Sequence, residues 1–254
     1  LLWLARIALA GLFLHLIFRP DIQGDTPVHE ATLELACLKA GGWGHCGGLS
    51  AQFPPFQVLP AMGIAALTQA LGWDPVSAEP VTIRLFCLAS LLSFWGLLRW
   101  IWLTISPRDA RVARLGILVF LSGFVLFYVN SSFSELPAAA LTAWFVSGIL
   151  RRKNQWKTAG IAFLAALSKE VAAPFLLVLA VTALRITAIE DERKRTGWRE
   201  ILPYVGAIGF AALAHIGFNE FKFGTLYNLK YLTPYYIVQD GATQVSFFLG
   251  IWFS

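Results

Sequence analysis

Residues 136–190 read LPAAALTAWFVSGILRRKNQWKTAGIAFLAALSKEVAAPFLLVLAVTALRITAIE. In this stretch three apolar blocks are separated by two short charged runs, RRKNQWK and SKE. Similar apolar blocks continue in both directions along the chain, at the spacing of repeated bilayer crossings. Of the 254 residues, 57% are hydrophobic and 14% are charged, and the mean hydropathy is +0.64. Soluble domains are roughly 25% charged, so the composition excludes a water-soluble globule and predicts an all-α polytopic membrane protein.

The distribution of charge predicts which loops face the cytoplasm. The formal net charge is +5, from 20 Lys and Arg against 15 Asp and Glu. Three runs, at residues 106–114, 151–157 and 185–200, hold 12 of the basic residues but only five of the acidic ones. This asymmetry is the positive-inside pattern of cytoplasmic loops beside anionic lipid. We therefore expect membrane lipids, and no nucleic acid, as partners of the basic loops.

Placing the three basic runs in the cytoplasm fixes the remaining topology, because two consecutive cytoplasmic loops must enclose a hairpin of helices whose tip is outside. The tips near residues 130–137 and 168–170, and the segment at 219–231, then lie on the outer face. Because the chain lacks an initiator Met and stops within an apolar run, we expect one domain, 1–254, whose C-terminal part is missing. The apolar blocks predict helices at about 1–18, 81–105, 115–130, 136–150, 158–168, 171–189, 201–218 and 245–254.

The first external loop is predicted to span residues 19–80. If the first helix runs outward, the apolar stretch at 53–73 lies on the membrane surface as an interfacial helix. Pro54, Pro55, Pro60 and Gly63 favour this interpretation because they interrupt helical continuity. The alternative is a true span with the first helix reversed, which would put the acidic residues of 21–34 in the cytoplasm.

Two of the three cysteines, Cys37 and Cys46, fall in this loop, where an oxidising compartment would let them pair. Metal binding by Cys37, His45 and Cys46 is the competing interpretation, but it lacks the paired C-x-x-C spacing of a zinc site. Cys87 lies in an apolar crossing and is interpreted as a packing residue.

Candidate chemistry begins with Gly24-Asp25-Thr26-Pro27, which follows the first helix and precedes His29 and Glu30. The run is either a solvated loop or a turn that holds the Asp25 carboxylate at the bilayer surface. In the second case Asp25 would act as general base for an incoming hydroxyl.

At the next outer tip, Ser134-Glu135-Leu136-Pro137 is either a helix start with Glu135 in the first turn or a functional carboxylate. Lys169 and Glu170 interrupt apolar sequence, and ionisable groups at membrane depth are typical of functional sites, although the two also form a neutral tip. Arg84 is explained equally well by snorkelling and by phosphate binding.

In their order and shared sidedness these motifs resemble the GT-C superfamily of integral membrane glycosyltransferases. The similarity is greatest to the bacterial relatives of protein O-mannosyltransferases and aminoarabinose transferases. It covers nearly the whole chain and is carried by Gly24-Asp25, Pro80-Val-Thr-Ile-Arg84-Leu, Ser134-Glu135-Leu136-Pro137, Leu167-Ser-Lys169-Glu170 and residues 219–231.

The resemblance implies a GT-C-type helical bundle that transfers a sugar from a polyprenyl-phosphate donor, with inversion, to a hydroxyl of an acceptor protein, lipid or glycan. The site would face the periplasm of a bacterial inner membrane, or a lumen. Asp25 would be the catalytic base, and a divalent cation (Mg, Mn or Ca) held by Asp25 and Glu135 stays open. The donor phosphate would bind Arg84, Lys169 and Lys222, and substrate or metal contacts would come from Glu135, His29, Glu30, Glu170, Asn219 and Tyr231.

Two other classes fit the composition. A transporter or flippase of lipid-linked sugars is also polytopic, but transporters place charged segments near the midplane and show internal pseudo-symmetry. A noncatalytic membrane subunit would use the 10 Trp and 20 Phe residues for helix packing and for the interfacial belt.

Overall fold

The structure, a computed structural model, describes residues 35–42, 55–73, 79–122, 135–169, 172–190 and 198–224, together with residues 7, 10 and 11. Within these ranges all regular structure is helical, which confirms the all-α class for this part of the chain. The predicted helices at 1–18 and 245–254 lie outside the described residues or almost wholly so. The helices are α1 Pro55–Ala70, α2 Glu79–Ile105, α3 Ala110–Ser122, α4 Glu135–Leu150, α5 Gln155–Ser168, α6 Ala172–Glu190 and α7 Trp198–Phe223.

Local sequence sets where several helices begin. Asp109 accepts hydrogen bonds from the main-chain N–H groups of Arg111 and Val112, at 2.7 and 3.2 Å. This side-chain cap lets α3 start at Ala110, earlier than the predicted 115. Asn154 caps α5 in the same way, through the N–H groups of Trp156 and Lys157.

Helix α7 is longer than predicted at its C-terminal end. It continues to Phe223 rather than stopping near residue 218, so Asn219 and Lys222 lie in the helix and not in an outer loop. The reason is tertiary packing, because Phe218 and Phe221 are buried against α1 in this last turn. Gly224 follows with φ +64°, and its N–H donates to the Glu220 carbonyl at 2.9 Å, which is the glycine stop of a helix C-terminus.

Helix α1 also differs from its expected form. The prolines and Gly63 were expected to interrupt it, yet the helix runs without a break from Pro55 to Ala70 with Pro60 inside. Pro60 lies early in the helix, where the missing N–H costs one hydrogen bond, and Val58 and Ala61 on either side are fully buried. They pack against Phe218 and Phe221 of α7.

The core between α4, α5, α6 and α7 consists largely of small side chains. Helix α5 packs against α1, α4, α6 and α7, while α2 packs against α3 and α4. Gly148 of α4 lies so close to Thr158 of α5 that a Cβ atom there would come within 2.7 Å of the Thr158 Oγ1. Helices approach this closely where small residues meet. The buried alanines of this core are Ala159, Ala162, Ala165, Ala166, Ala173, Ala180, Ala183 and Ala211.

Large apolar side chains, in contrast, point away from the bundle, among them Leu92, Val119, Val178 and Phe210. In the part of the chain that the structure describes, two helical segments are long and apolar enough to cross a membrane, with 22 residues from Arg84 to Ile105 and 24 from Arg199 to Lys222. Both are compatible with membrane insertion. Helices α4 and α6 are apolar but shorter.

The basic turns gather at one end of the bundle. The Arg151 Nη2 donates to the Leu103 carbonyl at 3.0 Å, which joins the C-terminal ends of α4 and α2. The Arg152 Nη2 donates to the Thr187 carbonyl at 3.0 Å, which joins the C-terminal ends of α4 and α6. We call this the basic end. The N-terminus of α4 and the C-termini of α5 and α7 therefore lie at the opposite end.

Candidate functional site

The end opposite the basic turns contains an ion pair between two residues far apart in sequence. Lys169 Nζ donates to Glu135 Oε1 at 2.6 Å. Glu135 is the first residue of α4, and Lys169 follows α5 in an extended conformation that directs the chain out of the helix. The antiparallel packing of α4 and α5 thus brings together two of the predicted site residues.

Both side chains of this pair remain accessible, with 37% of Lys169 and 43% of Glu135 exposed. Such half-exposed pairs contribute about 0–1 kcal/mol to folding. The pair therefore adds little stability, and its main effect is to fix the position of an ammonium group at the surface of the bundle.

The second carboxylate oxygen of Glu135 has a different environment. Oε2 is buried and has no hydrogen-bond donor among the residues that the structure describes. A buried acceptor without a donor costs about 1–3 kcal/mol. The capping interpretation explains Glu135 through the dipole of α4, and it leaves this oxygen unexplained. Ser134, the expected cap, lies outside the described residues.

Helix α7 presents a buried polar face at the same end. His215, Asn219 and Lys222 follow each other at spacings of four and three residues, and they are 5%, 7% and 1% exposed. The His215 Nε2 lies 2.9 Å from the carbonyl oxygen of Ala166, three residues before Lys169. The face therefore adjoins the C-terminal turn of α5 that carries Lys169.

Lys222 is the most deeply buried charged side chain among the described residues. Its Nζ lies 4.8 Å from the centroid of the Phe218 ring, within the range of a cation–π interaction. Ionisable side chains buried in apolar helices often belong to functional sites in membrane proteins.

Helix α1 covers this part of α7. Its buried side chains include Gln57, Val58 and Ala61, of which the last two contact Phe218 and Phe221. Phe86 of α2 packs against the same cluster, so the N-terminal part of α2 also lies at this end. Arg84, two residues earlier, is exposed and is not brought into contact with Lys169.

Sequence reasoning missed His215. The signal was present, because a lone histidine in an apolar helix stands four residues before Asn219 and seven before Lys222. Residues at these spacings share one helix face. The predicted end of α7 at residue 218 separated His215 from the other two and hid this pattern.

Several predicted site residues lie outside the described residues: Asp25, His29, Glu30, Cys46, Glu170 and Tyr231. Cys37 takes part in a disulfide bond, and Cys87 is a buried free thiol. The described part of the chain holds no group of three His, Cys, Asp or Glu side chains arranged to bind a metal ion.

Two cavities of about 280 Å³ each lie at the basic end. One is lined by residues that include Arg152, Thr187 and Tyr204, and the other by Trp100, Arg108 and Arg151 among others. Neither is lined by Glu135 or Lys169.

Comparisons of the chain with protein-family profiles, with curated proteins and with solved structures found no match.

Proposed function

We propose that this chain is an integral membrane glycosyltransferase that uses a polyprenyl-phosphate sugar as donor. The observation that carries the proposal is the contact of Lys169 with Glu135, two residues singled out by motif, at the end of the bundle opposite the basic turns. The acceptor is a hydroxyl of a protein, lipid or glycan, and the site faces the periplasm of a bacterial inner membrane.

The membrane setting is supported by the distribution of side chains. Alanines fill the core while large apolar residues face outward, which suits a lipid solvent better than water. The basic turns share one end, as the positive-inside rule requires of cytoplasmic loops. A polytopic helical bundle of the GT-C type accommodates both features.

The donor phosphate is assigned to Lys169. Its ammonium group has three N–H donors, and one of them is engaged by Glu135. Glu135 thus orients Lys169 and leaves donors for phosphate oxygens. A fixed cation stabilises the negative charge that develops on a departing phosphate. Lys222 and the exposed Arg84 are the further cations assigned to this end of the bundle.

The transfer itself is assigned to Asp25. Its carboxylate takes the proton of the acceptor hydroxyl while that oxygen forms a bond to the anomeric carbon. The bond from this carbon to the phosphate oxygen breaks, and the electron pair leaves with polyprenyl phosphate. Attack opposite the leaving group inverts the anomeric centre. The proposed transfer does not require a metal ion. Loss of transfer on addition of a chelator would show that Mg, Mn or Ca takes part.

The proposal is tested with the purified full chain in proteoliposomes. A radiolabelled polyprenyl-phosphate sugar is added with membrane extract as acceptor source, and transferred label is counted. We expect Asp25→Asn to abolish transfer and Lys169→Met to lower it by about tenfold or more. Lys157→Met is the matched control, because Lys157 is an exposed lysine at the other end of α5.

Binding of polyprenyl phosphate, the product, is measured in parallel because it needs no acceptor. Weaker binding by Lys169→Met, with Lys157→Met unchanged, supports the phosphate assignment. Transfer at the wild-type rate by Asp25→Asn contradicts the proposed base. Counterflow of an intact lipid-linked sugar across the vesicle membrane, without release of polyprenyl phosphate, would instead identify a transporter.

A further inference from the structure

A cleft of about 280 Å³ lies between α2 and α4 at the basic end of the bundle. Large apolar side chains line part of it, namely Trp100, Val146 and Leu150, and two arginines line another part, Arg108 and Arg151. Leu150 and both arginines are exposed, so the cleft is reached from outside the bundle. It lies away from the proposed transfer site and has no part in that reaction.

Arg151 is held in place at this cleft. One of its terminal nitrogens donates to the Leu103 carbonyl at 3.0 Å and, at 3.5 Å, to the Thr104 hydroxyl, at the C-terminal end of α2. A guanidinium has five N–H donors in a planar fork that matches phosphate oxygens. Arg151 therefore has donors beyond the nitrogen used in these contacts, and Arg108 supplies a second positive charge to the lining of the cleft.

We propose that this cleft binds an anionic phospholipid, with the phosphate against Arg108 and Arg151 and part of an acyl chain along Trp100 and Val146. The inference rests on the membrane orientation given under the proposed function, and it does not depend on the transfer reaction. Clusters of basic residues between helices on the cytoplasmic side are suited to anionic headgroups. Interfacial Trp residues are typical of the headgroup level.

The apolar wall of the cleft favours a lipid over a free anion as the ligand. The cleft volume of about 280 Å³ is slightly below the roughly 300–1,000 Å³ of small-molecule sites, so it takes a headgroup and part of a chain while the remainder stays in the bilayer. A soluble phosphate would need the two arginines alone and would gain nothing from Val146 or Leu150.

The experiment uses the purified full chain exchanged into mixed micelles that contain phosphatidylglycerol or phosphatidylcholine, and native mass spectrometry counts the lipid retained. Arg108→Gln removes one cation, and Thr104→Trp fills the cleft from an exposed position without changing charge. Arg111→Gln is the matched control, because Arg111 is an exposed arginine of the same basic run that does not line the cleft.

We expect Arg108→Gln to weaken retention of phosphatidylglycerol by about fivefold, since a basic residue near an anionic surface contributes about that factor. Thr104→Trp should also weaken it, because the indole occupies the cleft. Arg111→Gln should retain it as the wild type does, and phosphatidylcholine should be retained poorly by all. Equal losses in Arg108→Gln and Arg111→Gln would mean diffuse surface charge and overturn the proposal.

Inorganic phosphate at millimolar concentration tests whether the cleft binds a free phosphate anion rather than a lipid headgroup. Phosphate that displaces the bound lipid completely, and whose own binding survives Thr104→Trp, would show an anion site without lipid and contradict the inference. Lipid retention is measured without turnover, so a failure of the transferase proposal leaves this result unaffected. Conversely, if the wild type transfers sugar normally but retains phosphatidylglycerol no better than phosphatidylcholine, the cleft proposal alone is overturned.

Discussion

Lys169 and Glu135 are 34 positions apart in sequence, yet their charged atoms lie 2.6 Å apart at one end of the bundle. The contact joins the residue that follows α5 to the residue that begins α4. A pair of this kind is either a link between two helices or a positioned cation, and the two roles respond differently to exchange of the charges.

The charge exchange Glu135→Lys with Lys169→Glu separates these roles. Each single substitution places like charges in contact and should reduce both thermal stability and transfer. The double variant should recover most of the stability, because opposite charges again face each other and the half-exposed pair itself contributes only about 0–1 kcal/mol. Transfer should stay at least about tenfold lower, since the ammonium now stands at the N-terminus of α4, away from the assigned phosphate position. Recovery of transfer together with stability would reduce the pair to a structural link.

Gly148 is predicted to be essential for the packing of α4 on α5. A Cβ added there meets Thr158 Oγ1 at 2.7 Å and Cγ2 at 2.8 Å. Gly148→Ala should therefore lower the free energy of unfolding by about 1–3 kcal/mol, measured as a fall of several degrees in the melting temperature in detergent. Gly160→Ala is the control in the neighbouring helix, where a Cβ meets nothing within 4 Å.

The same measurement on Gly148→Ala with Thr158→Ala checks the cause. Removing the two clashing Thr158 atoms leaves only the Thr158 Cβ, at 3.3 Å from the added atom. The double variant should be more stable than Gly148→Ala alone. A double variant that melts at the lower temperature of the single one would contradict the steric explanation.

The sequence predicted the helical class and the positions of α4, α5 and α6 well, because each is an apolar block bounded by a charged or capping residue such as Asn154 or Glu135. It also placed the basic runs together, and in the described residues their turns meet at one end of the bundle. Charge asymmetry and block length are local signals, and both can be counted along the chain.

The missed features depend on tertiary contacts. The last turn of α7 is polar in sequence and was predicted as loop, but Phe218 and Phe221 bury it against α1. Likewise the continuity of α1 through Pro60 follows from burial of its neighbours Val58 and Ala61. The contact between Glu135 and Lys169 needs the register of α4 on α5, which the approach of Gly148 to Thr158 helps to set. No spacing rule in the sequence contains that register.

His215 is predicted to hold the C-terminal turn of α5. Its Nε2 lies 2.9 Å from the Ala166 carbonyl, one of the last four carbonyls of the helix, which have no partner within the helix. His215→Leu should cost about 1–3 kcal/mol, because it leaves this buried acceptor without a donor. His215→Gln retains a donor and should cost less. Equal melting temperatures for the Leu variant and the wild type would exclude the hydrogen bond as a stabilising contact.

The two ends of the bundle are predicted to face opposite sides of the membrane. Arg84 stands two residues before Phe86, which packs against Phe218 and Phe221, so it lies at the end opposite the basic turns; it is exposed, as is Lys157 at the basic end. In right-side-out vesicles a membrane-impermeant maleimide should label Arg84→Cys and spare Lys157→Cys until detergent opens the membrane. The buried thiol of Cys87 limits background labelling. Labelling of Lys157→Cys alone would show the reverse orientation, and labelling of both without detergent would show that the bundle does not separate two compartments. In either case Lys169 would not face an outer-leaflet donor, because the basic turns fix its side of the bundle.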